Sequence, residues 1–323
     1  MDLNTNMNRL TVPRSNKKSI WHKAAKRWQL YLFILIPIIY ILIFAYYPMF
    51  GVQIAFKDFT AAKGIWGSEW VGLKHFQKYF TNYMFERLIG NTLRLSIYGL
   101  LTSFPLAIIF ALLINAVKDL KFKKLIQTIT YIPHFISVVV LVGMINQIFN
   151  PVIGLYGTFY RLLYGGGYPA DILGDPNAFV HLYTWSGIWQ GLGWSTIIYI
   201  AALSSVDAEL HEAAQIDGAS RLSRMIYIDF PTIIPTASIM LILNIGSIMN
   251  VGFEKTYLMQ NSMNLIYSEV ITTYVYKVGM TAGASNFSYA SAIGLFNSVI
   301  NCIMLVIFNT LSPKFNQDGA SLW

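Results

Sequence analysis

Six apolar runs, each about as long as a bilayer's hydrocarbon core is thick, leave this chain little choice of fold. They cover residues 30–47, 91–117, 126–148, 180–203, 231–251 and 289–311. A helix of roughly 20 residues crosses a ~30 Å core, with tilt absorbing the difference. The sequence therefore predicts an all-α integral membrane protein with six transmembrane helices. Composition agrees: hydrophobic residues make up 55% of the 323 and charged residues only 12%, far from the soluble average.

The basic residues set the orientation. Residues 1–27 carry Arg9, Arg14, Lys17, Lys18, Lys23, Lys26 and Arg27 against one acid, Asp2. Under the positive-inside rule this is a cytoplasmic N-terminal arm, preceding a six-helix domain over residues 28–323. The first run is long enough to span and lacks a small-x-small cleavage site, so it is expected to be retained. Lys118, Lys121, Lys123 and Lys124 mark the next short loop as inside. Alternation then places 51–88, 149–179 and 252–287 outside, and 204–230 and both termini in the cytoplasm. The net charge of +8 fits topogenic signals. No basic stripe interleaved with exposed aromatics points to nucleic acid.

Several chemistries lack their residues. Cys302 is the single cysteine, which excludes an internal disulfide. His22, His75, His134, His181 and His211 are scattered, so no metal site is spelled out. His211-Glu212 opens like a zinc-protease motif, but Gln215 occupies the position of the second histidine. No carboxylate or histidine cluster near the membrane points to an enzyme, and no acid falls within an expected span, as an ion-driven carrier needs. No catalytic residue is assigned. No phosphate-binding glycine loop ending in Gly-Lys-Ser/Thr occurs, so any ATP that drives this protein is bound by another chain. His134 and Cys302 are read as packing residues.

One polar island interrupts the apolar pattern between the fourth and fifth runs, at residues 204–235. It reads as two short helices. Ser204 and Asp207 suit a helix start, Gly218 suits a break, and Pro231 and Pro235 suit an end. Within it, Glu212-Ala213-Ala214, Asp217-Gly218-Ala219, Ile228, Pro231 and Pro235 resemble the EAA loop of binding-protein-dependent ABC-importer permeases. Met225 and Phe230 stand where that family usually has Phe and Leu, and both remain bulky and apolar. Tyr47-Pro48-Met49-Phe50-Gly51, Ala55-Phe56-Lys57-Asp58-Phe59 and Ser288-Tyr289-Ala290-Ser291-Ala292 resemble a branch serving polysaccharide-derived oligosaccharides, including uronate-containing ones.

The resemblance implies a type I ABC importer transmembrane domain in the bacterial cytoplasmic membrane. It implies that Glu212, Ala213, Ala214, Asp217, Gly218, Ala219, Met225 and Pro231 form the coupling element seated on an ATPase. There the alanines allow close helix approach, Glu212 meets a basic group, Gly218 lets the second helix leave at an angle, and Met225 anchors it under the spans. No cofactor is bound directly; ATP and Mg sit on the partner. The implied partners are a second homologous permease, expected in a heterodimer, two ABC ATPase subunits and an extracytoplasmic solute-binding protein that delivers the oligosaccharide to the outside segments. A permease for glycerol phosphates or peptides stays open. For the sugar path the candidates are Trp189, Gln190, Asn244, Asn250, Asn297 and Asn301. Amides bind hydroxyls and aromatic faces stack on sugar rings, although the same amides also serve to join helices.

Overall fold

The structure, a computed structural model, describes residues 27–281 and 286–315. The basic arm up to residue 26 and the tail from 316 lie outside the described residues. The chain divides after Gln53 into two units. In the first, helix α1 (Trp28–Ile41) contains Pro37 and continues through a π turn, Leu42–Tyr46. Its large apolar side chains are exposed, as hydrocarbon-facing side chains are.

The second unit opens on a small antiparallel ribbon, β1 (Lys57–Asp58) with β2 (Glu69–Trp70), in which Lys57 pairs with Trp70. Phe56 stacks on Trp70 with ring centroids 5.6 Å apart. Helix α2 (Phe85–Asn115) follows; its 31 residues start earlier than the apolar run and pass through Pro105. The lysines expected in a loop mostly belong to helix α3 (Leu120–Tyr131), because the Asp119 carboxylate accepts from the Lys121 and Phe122 amides and starts the helix there.

The third apolar run is not one straight helix. Helix α3 passes into a 3-10 turn, Ile132–Phe135, and Ile136 is extended. Helix α4 (Val138–Ile148) then starts afresh under a Ser137 cap. The two helices are bent by 97°. Pro133 supplies the physical reason: it lacks an N–H and restricts the residue before it. The Gln190 amide donates to the Ile136 carbonyl at 2.7 Å, inside the break.

Helix α5 (Leu155–Tyr164) ends on Gly165 at φ 73°. Helix α6 (Pro176–Leu203) is capped by Asp175, with proline in its first turn where a missing N–H costs nothing. Helix α7 (Ala208–Ile216), helix α8 (Arg221–Gly246), helix α9 (Phe253–Met259), helix α10 (Ile271–Tyr276) and helix α11 (Phe287–Phe315) complete the order. Among the described residues, Trp28–Phe56, Phe85–Asn115, Arg221–Gly246 and Phe287–Ser312 are long and apolar enough to cross a membrane, and the bent pair makes a fifth. At 28 residues, α6 is also long enough, but its Trp, Gln and Ser content makes it less apolar. The six expected runs correspond to these four helices, the bent pair and α6.

Packing runs along α6. Tyr199 and Leu203 bury against Ala107, Ala111 and Leu112 of α2 and Ile233 of α8. His134 stacks on Trp194 at 4.4 Å, in keeping with a packing role. Cys302, expected to pack, is exposed on α11 instead. Where α6 crosses α3, Gly193 is required: a Cβ there would stand 2.2 Å from the Thr130 carbonyl oxygen. Gly193→Ala is therefore expected to destabilise the chain by about 1–3 kcal/mol through forced backbone displacement. Gly191→Ala, with open space around it, should be neutral or slightly stabilising. Thermal unfolding of both variants in detergent checks this; equal midpoints would refute the close crossing.

Candidate functional site

The polar island is built differently at its two ends. Ser204 ends α6 rather than starting a helix, because its hydroxyl donates back to the Ile200 carbonyl at 2.8 Å. Asp207 starts α7 as expected, its carboxylate accepting from the Glu209 amide at 3.0 Å. Gly218 takes φ 80°, and the Ala219 amide folds back onto the Ala214 carbonyl at 2.8 Å. These bonds close the C-terminal end of α7 with a left-handed glycine. Ser220 then caps α8 by accepting from the Ser223 amide.

The prolines do not end the island's second helix. Helix α8 runs unbroken from Arg221 to Gly246, with Pro231 and Pro235 inside it. A five-residue π turn, Met225–Asp229, precedes Pro231. Such a local widening lets a helix pass a residue that has no N–H to donate. The Thr232 hydroxyl adds a bond to the Ile228 carbonyl at 2.8 Å.

Glu212, Ala213, Asp217 and Gly218 are exposed, Ala214, Ala219 and Met225 are half-buried, and Pro231 is exposed. Leu210, Ile216 and Leu222 also face out. Beneath them lies a polar knot that sequence spacing does not reveal. The His211 Nε2 and the Asp229 Oδ1 are 3.1 Å apart, and Asp229 is 4% exposed. Asn115 at the end of α2 donates to the same carboxylate oxygen at 3.5 Å, and Lys123 of α3 donates to the Asn115 side chain at 3.3 Å. Arg224 reaches the His211 carbonyl at 3.4 Å. The knot joins α7 to α8, α2 and α3.

A second feature lies between α2, α6 and α8. Three adjoining cavities of about 200, 590 and 330 Å³ share lining residues, Ser103 being common to all, and so form one groove. Ser96, Gly99, Ser103 and Ala107 supply the α2 side at helical spacing; Tyr183, Gly187, Gln190 and Ser195 supply the α6 side. Of the six sugar-path candidates, the structure brings Gln190, Asn244 and Asn250 to this groove. Trp189 lines a separate, apolar cavity beside Trp185 and α4. Asn297 and Asn301 are buried on α11; Asn297 donates to the Asn250 side chain at 3.0 Å, and Asn301 accepts from the Met249 amide at 3.0 Å. The recurrence of small and hydroxyl residues every three or four positions on α2 is the sequence signal that marks the groove.

Charge is also buried near the groove. Lys255 on α9 is 9% exposed, and its Nζ donates to the Tyr183 carbonyl at 2.7 Å. Burial pushes its ammonium down to about 8. Farther along, the buried Glu269 accepts from Arg87 at 2.6 Å and Lys277 at 2.9 Å. Asn91 of α2 donates to the Glu269 carbonyl at 2.9 Å. These contacts fasten the segment between α9 and α11 to the start of α2. Among the described residues, no group of three or more His, Cys, Asp or Glu side chains could hold a metal.

Comparison with known proteins gives consistent matches. Residues 103–317 match the family described as "Binding-protein-dependent transport system inner membrane component". Protein LplB of Bacillus subtilis (strain 168) is 43% identical over 310 residues, covering 95% of this chain and 96% of that protein. The polygalacturonan/rhamnogalacturonan transport system permease protein YteP of the same organism is 41% identical over 306 residues, covering 95% and 94%. A chain of a bacterial ABC transporter involved in the import of the acidic polysaccharide alginate superposes with a TM-score of 0.82 at 35% identity, covering 92% of this chain and 99% of its own.

The polar knot makes a prediction of its own. Asp229→Ala leaves the His211 and Asn115 side chains without their acceptor, a loss of about 1–3 kcal/mol. Amide hydrogen exchange over 208–216 is expected to accelerate roughly tenfold or more, while α11 keeps its protection. Unchanged exchange in α7 would mean that the knot does not hold it.

Proposed function

The chain belongs to the family of binding-protein-dependent transport system inner membrane components, and on that premise we propose that it is the permease subunit of an ATP-driven importer of polysaccharide-derived oligosaccharides. The observation that carries the mechanism is α7: an exposed helix, closed at Gly218, tied through Asp229 to the helix that leads back into the apolar body. In this reading six helices cross the membrane, both termini and α7 are cytoplasmic, and the basic arm of residues 1–27 precedes the six-helix domain.

Helix α7 is the coupling helix. Glu212, Ala213, Ala214, Asp217, Gly218 and Ala219 seat in a cleft of an ATPase subunit, where the small residues permit close approach and Glu212 meets a basic group. Met225 and Pro231 lie in the part of α8 that carries motion onward. ATP and Mg belong to the two ATPase subunits, and their closure draws the coupling helices together. A second homologous permease, in a heterodimer, completes the path. Differential binding of the nucleotide states then shifts the pair between inward-open and outward-open forms. A solute-binding protein delivers the sugar at the outer face. Gln190, Asn244 and Asn250 offer amides along the groove, while Asn297 and Asn301 act through the backbone and side chains that they hold.

The relatives support a saccharide cargo: one is a polygalacturonan/rhamnogalacturonan permease and another serves alginate import. Uptake and ATP hydrolysis in the reconstituted complex test the proposal. Gly218→Pro cannot hold φ 80°, and Glu212→Ala removes the charge offered to the ATPase. Both are expected to lower sugar uptake and sugar-stimulated hydrolysis together, by roughly tenfold or about 1.4 kcal/mol of coupling, in complexes that remain assembled. Normal transport in both variants would remove α7 from the coupling role.

A further inference from the structure

Among the described residues, the lysine that lines the groove has no counter-ion. Lys255 is 9% exposed; among the described residues its Nζ makes one hydrogen bond, to the neutral Tyr183 carbonyl at 2.7 Å, and lies 4.7 Å from the Tyr183 ring centroid. Among the described residues no carboxylate lies within 4.0 Å of it. An ammonium has three N–H groups, and burying one without an opposite charge is costly. A bound anion would supply the missing charge.

The surroundings fit a ligand of that kind. Lys255 lines the groove's 330 Å³ compartment together with Tyr183, Thr184, Gln190, Ser103 and Ser195. That volume lies within the range of small-molecule sites. Thr184 is 5% exposed, and among the described residues its buried Oγ1 has no hydrogen-bond partner; such atoms are rare and call for an explanation. On α6, Gly187 stands over the ammonium: a Cβ there would lie 3.1 Å from Nζ. Glycine therefore leaves the cation open from that side, where any side chain would cover it.

We propose that Lys255 determines specificity on the transport path by meeting the carboxylate of an anionic sugar, a uronate, with the Thr184 hydroxyl bonding the same sugar unit. A neutral sugar offers an ammonium only hydroxyl oxygens, which do not balance its charge. A uronate needs both a charge-assisted bond to its carboxylate and hydroxyl and amide groups for its ring. The inference rests on the permease reading above and adds the residue that reads the charge of the cargo.

The test uses the reconstituted complex with its binding protein saturated, and two probes: an oligogalacturonate trisaccharide and its carboxyl-reduced, neutral counterpart. Lys255→Met is expected to lower uptake of the uronate by roughly thirtyfold or more, and to leave uptake of the neutral trisaccharide at the wild-type level. Lys255→Arg keeps the charge and should stay within a few-fold of wild type on the uronate. Thr184→Val should lower uptake of the uronate several-fold. Equal loss of both sugars in Lys255→Met, or no loss of either, would overturn the inference. If Lys255→Met does not assemble, Lys255→Arg and Thr184→Val carry the test, and wild-type uronate uptake in Thr184→Val then overturns it. A wild type that takes up the neutral sugar alone would overturn the charge reading and leave the permease standing. A wild type that moves neither sugar and shows no stimulated hydrolysis would remove the saccharide-permease reading itself.

Discussion

Inside hydrocarbon no water is available to a broken backbone hydrogen bond, and this constraint governs where the chain's polar side chains go. Three interruptions are each met by a specific group. The Gln190 amide reaches the Ile136 carbonyl in the bend between α3 and α4. The Thr232 hydroxyl takes the Ile228 carbonyl beside Pro231. The Asn301 side chain takes the Met249 amide just past the end of α8. Intramembrane amides are expensive in lipid, and here several stand where the backbone would otherwise lack a partner. A polar residue in an apolar run is therefore as much a sign of a local break as of a solute path.

That double use explains which features are legible in the amino-acid sequence. The spans can be read because apolar length alone specifies them, and the helix start at Asp207 and the break at Gly218 follow from local chemistry. The course of the third run and of the island's second helix does not. Proline has two outcomes in a helix, and neighbours decide between them. Pro133 is followed by Ser137, which can cap a new helix, so the chain turns. Pro231 is preceded by a widened turn, so the chain continues. The knot of His211 and Asp229 joins residues 18 apart through a fold-back, a distance at which sequence periodicity carries no signal. Lys255 reads as an ordinary extramembrane lysine, because its burial comes from α6 rather than from its own segment.

Helix α8 links the two sites. Its first turns emerge from the knot under α7, and Asn244, near its far end, lines the groove. The groove is otherwise formed by α2 and α6, which meet α8 in the cluster around Tyr199 and Ile233. A displacement of α7 thus has a continuous, well-packed route to groove residues, through one helix rather than through a chain of loops. At the other end of the molecule, the Arg87–Glu269–Lys277 cluster holds the segment between α9 and α11 against α2. It provides a fixed frame at the end of α2 opposite the one that meets the knot under α7.

The π turn at Met225–Asp229 has a consequence for angle as well as for continuity. A turn that holds one residue more than an α-helical turn offsets everything beyond it by about 100° around the axis. The direction in which Asn244 points, relative to α7, therefore depends on that one extra residue. Were the bulge to travel along α8, the stretch it passed over would rotate about its own axis while both ends kept their places. The helix is built as a screw as well as a rod.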